Sequence, residues 1–361
     1  MKVVQLYEVA RTAHLERIDG YDDVTLLYHR ERYDFDADVA ARVRPIRAGL
    51  LASCLYALRH DTDIVEVNEP LATSAVIRAC AFIGATRLRS LLTRSRPPLV
   101  VAYAIENLAS ADLRANLPLK ARLKFELRRP FAVALWHVLD RIAFGTSDAR
   151  ELYESEFGAR PRRLDARMIE ALPSPARAGG AQEAAEDPVI LFLGDLSVRK
   201  GYPDVMAAWP AVRAALPRAR LSIVGRGAGA AEAAESARRD DRVLVLLDPP
   251  REDVYGELAR ARVLVLPSRR MPLWREQVGL PITEGLAHGC VIVTTNETGI
   301  ATWLRENGHQ VIEEREVGRE LASAIVAAAQ SELTADDVRR QLPDVDGRAA
   351  ARRWLYSGEE G

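Results

Sequence analysis

Short runs of Val, Ile and Leu alternate along most of the chain with longer stretches whose apolar residues fall at helical spacing. KVVQLYEV (2–9), VTLLYH (24–29) and DIVEVNEP (63–70) read as strands, the last stopped by Pro70. Between the second and third, IRAGLLASCLYALRH (46–60) has helical spacing, and LATSAVIRACAFIGA (71–85) continues as a further helix. Two prolines introduce the strand PPLVVAYAI (97–105), and a long Leu- and Arg-rich region then leads through WHVLDRIAFGTSDARELYESEFG (136–158). This alternation predicts a doubly wound α/β domain over residues 1–170.

The pattern then breaks. LPSPARAGGAQEAAED (172–187) is rich in Pro, Ala, Gly and charge and has no period, which predicts an interdomain linker over 171–188. Strand PVILFLG opens a second alternation, through the helix DVMAAWPAVRAALP, strand RLSIVG, a helix rich in Ala and Glu, strand RVLVLL, helix EDVYGELARA and strand RVLVLPS. A second α/β domain is expected over 189–335, with 336–361 as a C-terminal tail.

The chain is organised around EQVGLPITEGLAHGCVIVT (276–294). Gly279 frees the backbone, Pro281 suits the first position of a short helix, Gly289 ends it, and CVIVTT reads as a buried parallel strand. The free amides and positive dipole end at 279–283 make a site for a phosphate. Glu276 stands just before it, and Glu284 is expected in the first turn. Such a site would hold an anion beside hydroxyl groups; helix capping by Glu284 is the plainer alternative.

Composition narrows the class. The 361 residues suit two domains, and a net charge of −1 gives no global pull toward nucleic acid or membrane. No apolar run approaches the roughly 20 residues of a spanning helix, and the start reads as a strand rather than a signal peptide. Three scattered cysteines argue against a disulfide framework and for a reducing cytoplasm. The six histidines are dispersed and no Asp-x-Asp motif stands near the phosphate elements, so no metal is expected. Lysine occurs only at Lys2, Lys120, Lys124 and Lys200 against 46 arginines, so each lysine is an uncommon choice.

The order EQ-x-GLP-x-x-E-x-x-A-x-G, with its E-x7-E, resembles the signature of retaining GT-B glycosyltransferases, most closely glycosyltransferase family 4, the glycosyl transferases group 1. The resemblance implies an α/β fold of two Rossmann-like doubly wound domains facing each other across a cleft. It also implies an N-terminal acceptor side, a C-terminal nucleotide-sugar side, and a last stretch, GRAAARRWLYSGEEG, crossing back to the first domain. FLGDLSVRKG (192–201) resembles the family's G-x-L-x-x-x-K-G motif, which implies Gly194 in the turn and Lys200 on the donor diphosphate, with Arg199 beside it. Asp195 departs from the arginine that many relatives carry after that glycine; either Arg199 compensates its charge or it points away. IVGRGAGA (223–230) resembles the family's V-G-x-G turn, which places Gly225 and Gly227 near the base; a plain strand-to-helix turn serves the sequence as well.

From the same resemblance, Glu284 accepts from ribose hydroxyls, Glu276 orients the donor sugar, and the amides near Gly279 and Leu280 meet the leaving diphosphate. Ser268, Arg269, Arg270 and Trp274, in the loop delivering Glu276, are expected to face sugar, acceptor or solvent. On the acceptor side, Glu106 and Asn107 stand where many relatives carry a sugar-facing histidine, and a turn asparagine is the alternative there. Glu69, Thr146 and Ser147 are further cleft residues. The expected function is metal-independent, retaining transfer of a sugar from a nucleoside diphosphate sugar to an acceptor hydroxyl, with no cofactor. A sugar-nucleotide epimerase or phosphorylase of the same fold, or a catalytically silent homologue acting as a binding subunit, stays open. Expected partners are the nucleotide-sugar donor and a small-molecule, glycan or lipid-linked acceptor, with no nucleic acid. RANLPLKARLKFELRR (114–129) is expected as an amphipathic helix with one solvated face, contact with an anionic membrane being the less expected reading.

Overall fold

The computed structural model describes residues 1–32, 35–176 and 187–358. The chain divides into two compact units, Met1–Gly145 with Ala149–Ile169 and Ala351–Gly361, and Thr146–Asp148 with Glu170–Ala350. Most of the expected linker, 177–186, lies outside the described residues, as do the last three residues of the tail.

The first unit is built on a seven-stranded parallel sheet: β1 (Val3–Ala10), β2 (Val24–Glu31), β3 (Ile46–Arg47), β4 (Ile64–Val67), β5 (Leu99–Ala104), β6 (Arg141–Phe144) and β7 (Asp165–Met168), in the order β3-β2-β1-β4-β5-β6-β7. Its central strands are largely apolar because helices cover both faces, with Gln5 of β1 and Glu66 of β4 as buried polar exceptions. Two boundaries differ from the sequence reading. Ile46 and Arg47 form the edge strand β3 beside Leu27 and Tyr28, and the helix starts only at Leu50, after Gly49. The next helix runs Val76–Thr93 instead of starting at Leu71, which is held in the preceding turn by the Tyr153 hydroxyl. Two-residue pairing is too short to carry a period, so β3 was invisible to pattern.

The terminal helix Gly347–Ser357 brings Ala351, Trp354, Leu355 and Tyr356 against Val3, Ile64, Val101 and Ala143 of this sheet. The Tyr356 hydroxyl donates to Glu66 at 2.5 Å and accepts from Gln5 at 3.0 Å. A buried carboxylate beneath the sheet is thereby hydrogen-bonded rather than left bare, as burial of a polar group requires.

The second unit carries a six-stranded parallel sheet: β8 (Val189–Asp195), β9 (Arg220–Arg226), β10 (Val243–Leu247), β11 (Ala261–Leu266), β12 (Val291–Thr295) and β13 (Gln310–Ile312), ordered β10-β9-β8-β11-β12-β13. Strand order reverses between β8 and β11, the place where open α/β sheets leave a crevice at their carboxyl ends. The β8–β9 register sets Gly194 beside Gly225 and Asp195 beside Arg226. A side chain at 225 would run into the Gly194 carbonyl, so the two strand ends can lie this close only with glycine there.

Candidate active site

Three loops gather at the carboxyl ends of β8, β9 and β11. After β8, a single 3-10 turn, Val198–Lys200, precedes the helix Tyr202–Ala215 and aims Arg199 and Lys200 inward. After β11, Met271 and Trp274 pair in a tight turn, Met271 N–H to Trp274 carbonyl at 2.9 Å and the reverse bond at 3.1 Å. That turn lays the indole of Trp274 beneath both cations, 4.3 Å from the Arg199 guanidinium carbon and 5.2 Å from the Lys200 nitrogen. Cations are attracted to the ring face at such distances.

The same loop delivers Glu276, which is buried, as is Lys200. The Lys200 ammonium donates to the Glu276 carboxylate in a short ion pair, and the Ser268 hydroxyl donates to the same oxygen at 2.9 Å. Ser268 is fixed in turn by the Thr295 hydroxyl, which donates to its carbonyl at 2.5 Å. Arg269 is turned away into a two-pronged bond with Asp204, at 2.7 and 2.5 Å. Asp195 meets Arg199 at 3.5 Å, so the structure answers the question of its charge by pairing it. Both side chains are more than a third exposed, and water weakens that pair.

Gly279, with φ of 87°, turns the chain into the helix Leu280–His288. A Cβ there would sit 3.5 Å from the Glu276 Cγ, so the carboxylate stem lies directly against the helix entrance. The amides of Ile282 and Thr283 bond back to the Gly279 carbonyl, at 2.9 and 3.1 Å. Those of Gly279 and Leu280 are the ones that helix geometry leaves outside the internal ladder. Glu284 is the fifth helical residue rather than part of the first turn, because the helix starts at Leu280. It makes no cap, and burial pushes its carboxyl pKa up, with the charge of Arg251 opposing. Arg251 donates to the Tyr255 hydroxyl at 2.6 Å, and Tyr255 stacks on His288 one turn beyond Glu284.

The first unit holds a separate polar cluster after β4 and β5. Buried Glu69 accepts from the amides of Ile105 and Glu106, at 3.1 and 3.0 Å, and from the Tyr153 hydroxyl at 3.1 Å. Glu106 accepts from the Asn107 and Leu108 amides at 3.2 and 3.0 Å, making a turn in which Asn107 is buried. Burial, followed by the nearby charge of Glu106, pushes the Glu69 pKa up to about 8 against those hydrogen bonds.

The structure thus sets Arg199 and Lys200 on the Trp274 ring, pairs Lys200 with Glu276 and lays Glu276 against the helix entrance at Gly279 and Leu280, with Gly194, Gly225 and Gly227 at the strand ends. Glu284 lies one turn deeper. Glu69, Glu106 and Asn107 form their own group. Two contributors had not been singled out from sequence, Tyr153 and Arg251. Tyr153 gave no signal beyond apolar spacing in the helix Ser147–Phe157. Arg251 gave one, its place at a helix start directly after Pro249 and Pro250 at the end of β10.

Among curated proteins, none matches the chain. Many solved structures do. HepE of Anabaena in complex with UDP is 14% identical over 94% of this chain and 98% of its own, with a TM-score of 0.61. Sucrose-phosphate synthase of Thermosynechococcus elongatus is 15% identical, over 99% and 100%, with a TM-score of 0.61. The lipopolysaccharide outer core galactosyltransferase WaaB is 11% identical, over 99% and 100%, with a TM-score of 0.64. At such identities the likeness speaks for the fold, two parallel-sheet α/β domains of GT-B type. Residues 187–331, which carry the gathered loops, match the family described as glycosyl transferases group 1.

Proposed function

We propose that the protein is a retaining glycosyltransferase that moves a sugar from a nucleoside diphosphate sugar to an acceptor hydroxyl in the cytoplasm, without a divalent metal. The observation that carries this reading is the buried Lys200–Glu276 pair set against the entrance of the Leu280–His288 helix. A diphosphate seated at the Gly279 and Leu280 amides lies beside one cation on a flexible stem and a second, Arg199, on an aromatic face. The compensation of its charge therefore comes from the chain itself.

In the reaction the bond from the sugar's anomeric carbon to the diphosphate oxygen breaks, and one from that carbon to the acceptor oxygen forms on the same face. The acceptor's proton passes to the departing phosphate. Negative charge grows on the phosphate as the bond opens, which is where Lys200 and the helix amides act most strongly. Glu276, freed in part from Lys200 as the diphosphate takes that cation, accepts from hydroxyls of the donor sugar. Glu284 accepts from the ribose.

HepE has been solved with UDP and with UDP-glucose, which supports uracil nucleotides as the first to try. Thermal shift of the wild type and of Glu284→Ala with UDP, GDP, ADP and dTDP, each with chelator present, tests the donor half. A ligand at a hundred times its Kd adds about 2.7 kcal/mol to stability. One nucleotide should shift the wild type and leave the variant nearly unmoved. Its affinity should also rise with pH through the raised pKa of Glu284, because ribose hydroxyls donate to the ionised carboxylate. No shift with any of the four would end the donor assignment.

A further inference from the structure

Residues 114–129 do not form the single amphipathic helix expected of them: Arg114–Asn116 close the helix Ser110–Asn116, and a new helix, Leu119–Val138, starts after Pro118. Phe125, Ala132, Leu135 and Trp136 are buried against the first unit. Leu119, Leu123 and Leu127, one turn apart, are 82%, 61% and 64% exposed, and Phe131 continues their row at 41%. Residues four apart share one side of a helix, so this is a second apolar stripe, facing outward and roughly 18 Å long at about 1.5 Å per residue. The neighbouring helix Val76–Thr93 adds Leu91 and Leu92, 77% and 74% exposed. Isolated exposed leucines are ordinary, whereas a continuous stripe of them marks a surface that meets something.

Charge says what it meets. Lys120, Arg122, Lys124, Arg128 and Arg129 flank the stripe, and none of them pairs with a carboxylate among the described residues; the helix's own Glu126 is taken by Arg114 at 2.5 Å. From residue 70 to 138 there are 11 cations and three carboxylates, in a chain whose net charge is −1. Two of the four lysines fall in this one helix. A second copy of the same face would bring cations against cations, and a nucleic acid would leave the leucines in water. An anionic bilayer accepts both kinds of side chain: leucines enter the acyl boundary while the long cationic stems reach the headgroups. Among the described residues no helix is long and apolar enough to cross a membrane, so the contact would be peripheral.

We propose that the outward stripe of the Leu119–Val138 helix, with its flanking cations, docks the protein on an anionic phospholipid surface. The proposal is independent of the reaction. Its test is cosedimentation of the full chain with vesicles of phosphatidylglycerol and phosphatidylcholine, against vesicles of phosphatidylcholine alone. The wild type should bind the anionic vesicles only, and less as salt rises. Leu119→Ser, Leu123→Ser and Leu127→Ser combined should lower the partition by about tenfold or more, by removing apolar burial in the bilayer boundary. Because these side chains are exposed, the melting temperature and the nucleotide shift of the variant should stay at wild-type values. Equal binding by variant and wild type, or no binding to anionic vesicles, overturns the proposal. So does a wild-type dimer in light scattering that the triple variant dissolves, since the stripe would then belong to a second copy.

Discussion

Glu69 and Glu276 are both nearly buried carboxylates in loops that follow a strand's carboxyl end, and the two units satisfy them in opposite ways. Glu276 has a cation and a hydroxyl, Lys200 and Ser268. Glu69 has two backbone amides and a phenol, and the charge that acts on it is the like charge of Glu106. In the proposed function the first arrangement is an ion pair that an incoming diphosphate can reorganise, since Lys200 has further donors for which it would compete. The second makes a rigid knot, tying the strand-end turn of Glu106 and Asn107 to the helix of Tyr153. A carboxylate near a sheet crevice is therefore not one kind of device. Its partners decide whether it serves a ligand or the loop that carries it.

The contrast breaks most visibly at the ion pair. Lys200→Met removes the cation and leaves Glu276 buried without it, a loss on the order of 3–5 kcal/mol for a broken buried pair. Adding Glu276→Gln should restore most of that stability in chemical denaturation. Activity should not return with it, because a neutral methionine cannot meet the growing phosphate charge; turnover should stay about a hundredfold or more below wild type. If the single and double variants are equally stable, the pair is not the closed unit its burial indicates.

Glu69 provides the second test, through pH. Its folded pKa lies near 8 against about 4.3 for an unperturbed glutamate. Between those values the folded state keeps a proton that the unfolded state has released. Stability from this group is therefore fully present below the unfolded pKa and is lost as pH rises toward 8, with a slope of up to about 1.4 kcal/mol per pH unit. Glu69→Gln cannot titrate, so its unfolding free energy should lack that fall between pH 5 and 8, whatever its absolute value. Parallel curves for the two proteins would mean that the amides and the phenol hold Glu69 ionised, and the two carboxylates would be more alike than their partners indicate.

What the sequence carried and what it withheld follow from range. Strand and helix alternation is local, and it made both parallel sheets legible together with the turns at Gly194, Gly225 and Gly279. Edge elements such as Ile46–Arg47 and Gln310–Ile312 are too short to show a period, and their existence depends on a neighbouring strand. Motif order named Lys200, Arg199, Glu276 and Glu284, while the pairing of Lys200 with Glu276 spans 76 residues and could not be read from either stretch. The same holds for Tyr153 and Glu69, 84 residues apart. For the helix 119–138, sequence showed cations and leucines interleaved; only packing told which leucines were left outside.

The smallest expected effect is at Asp195, where the second unit carries a carboxylate beside the proposed diphosphate site. Arg199 lies between it and the face of Trp274, so its guanidinium is shared before any ligand arrives. Asp195→Asn removes a like charge from the diphosphate's surroundings and loosens one of the two holds on Arg199. Because both side chains are partly exposed and screened, the gain should be modest, roughly 0.3–1 kcal/mol, or about two- to fivefold tighter binding of the nucleoside diphosphate. Calorimetric titration at low and at high salt reads it, and the gain should shrink as salt rises. The opposite sign is equally informative. Weaker binding by Asp195→Asn would mean that the carboxylate's chief work is to aim Arg199, and that its orientation is worth more to the ligand than the repulsion costs. In that case Asp195 would sit closer in kind to Glu69, a carboxylate that serves its own loop, and the division between the two units would run inside the second one.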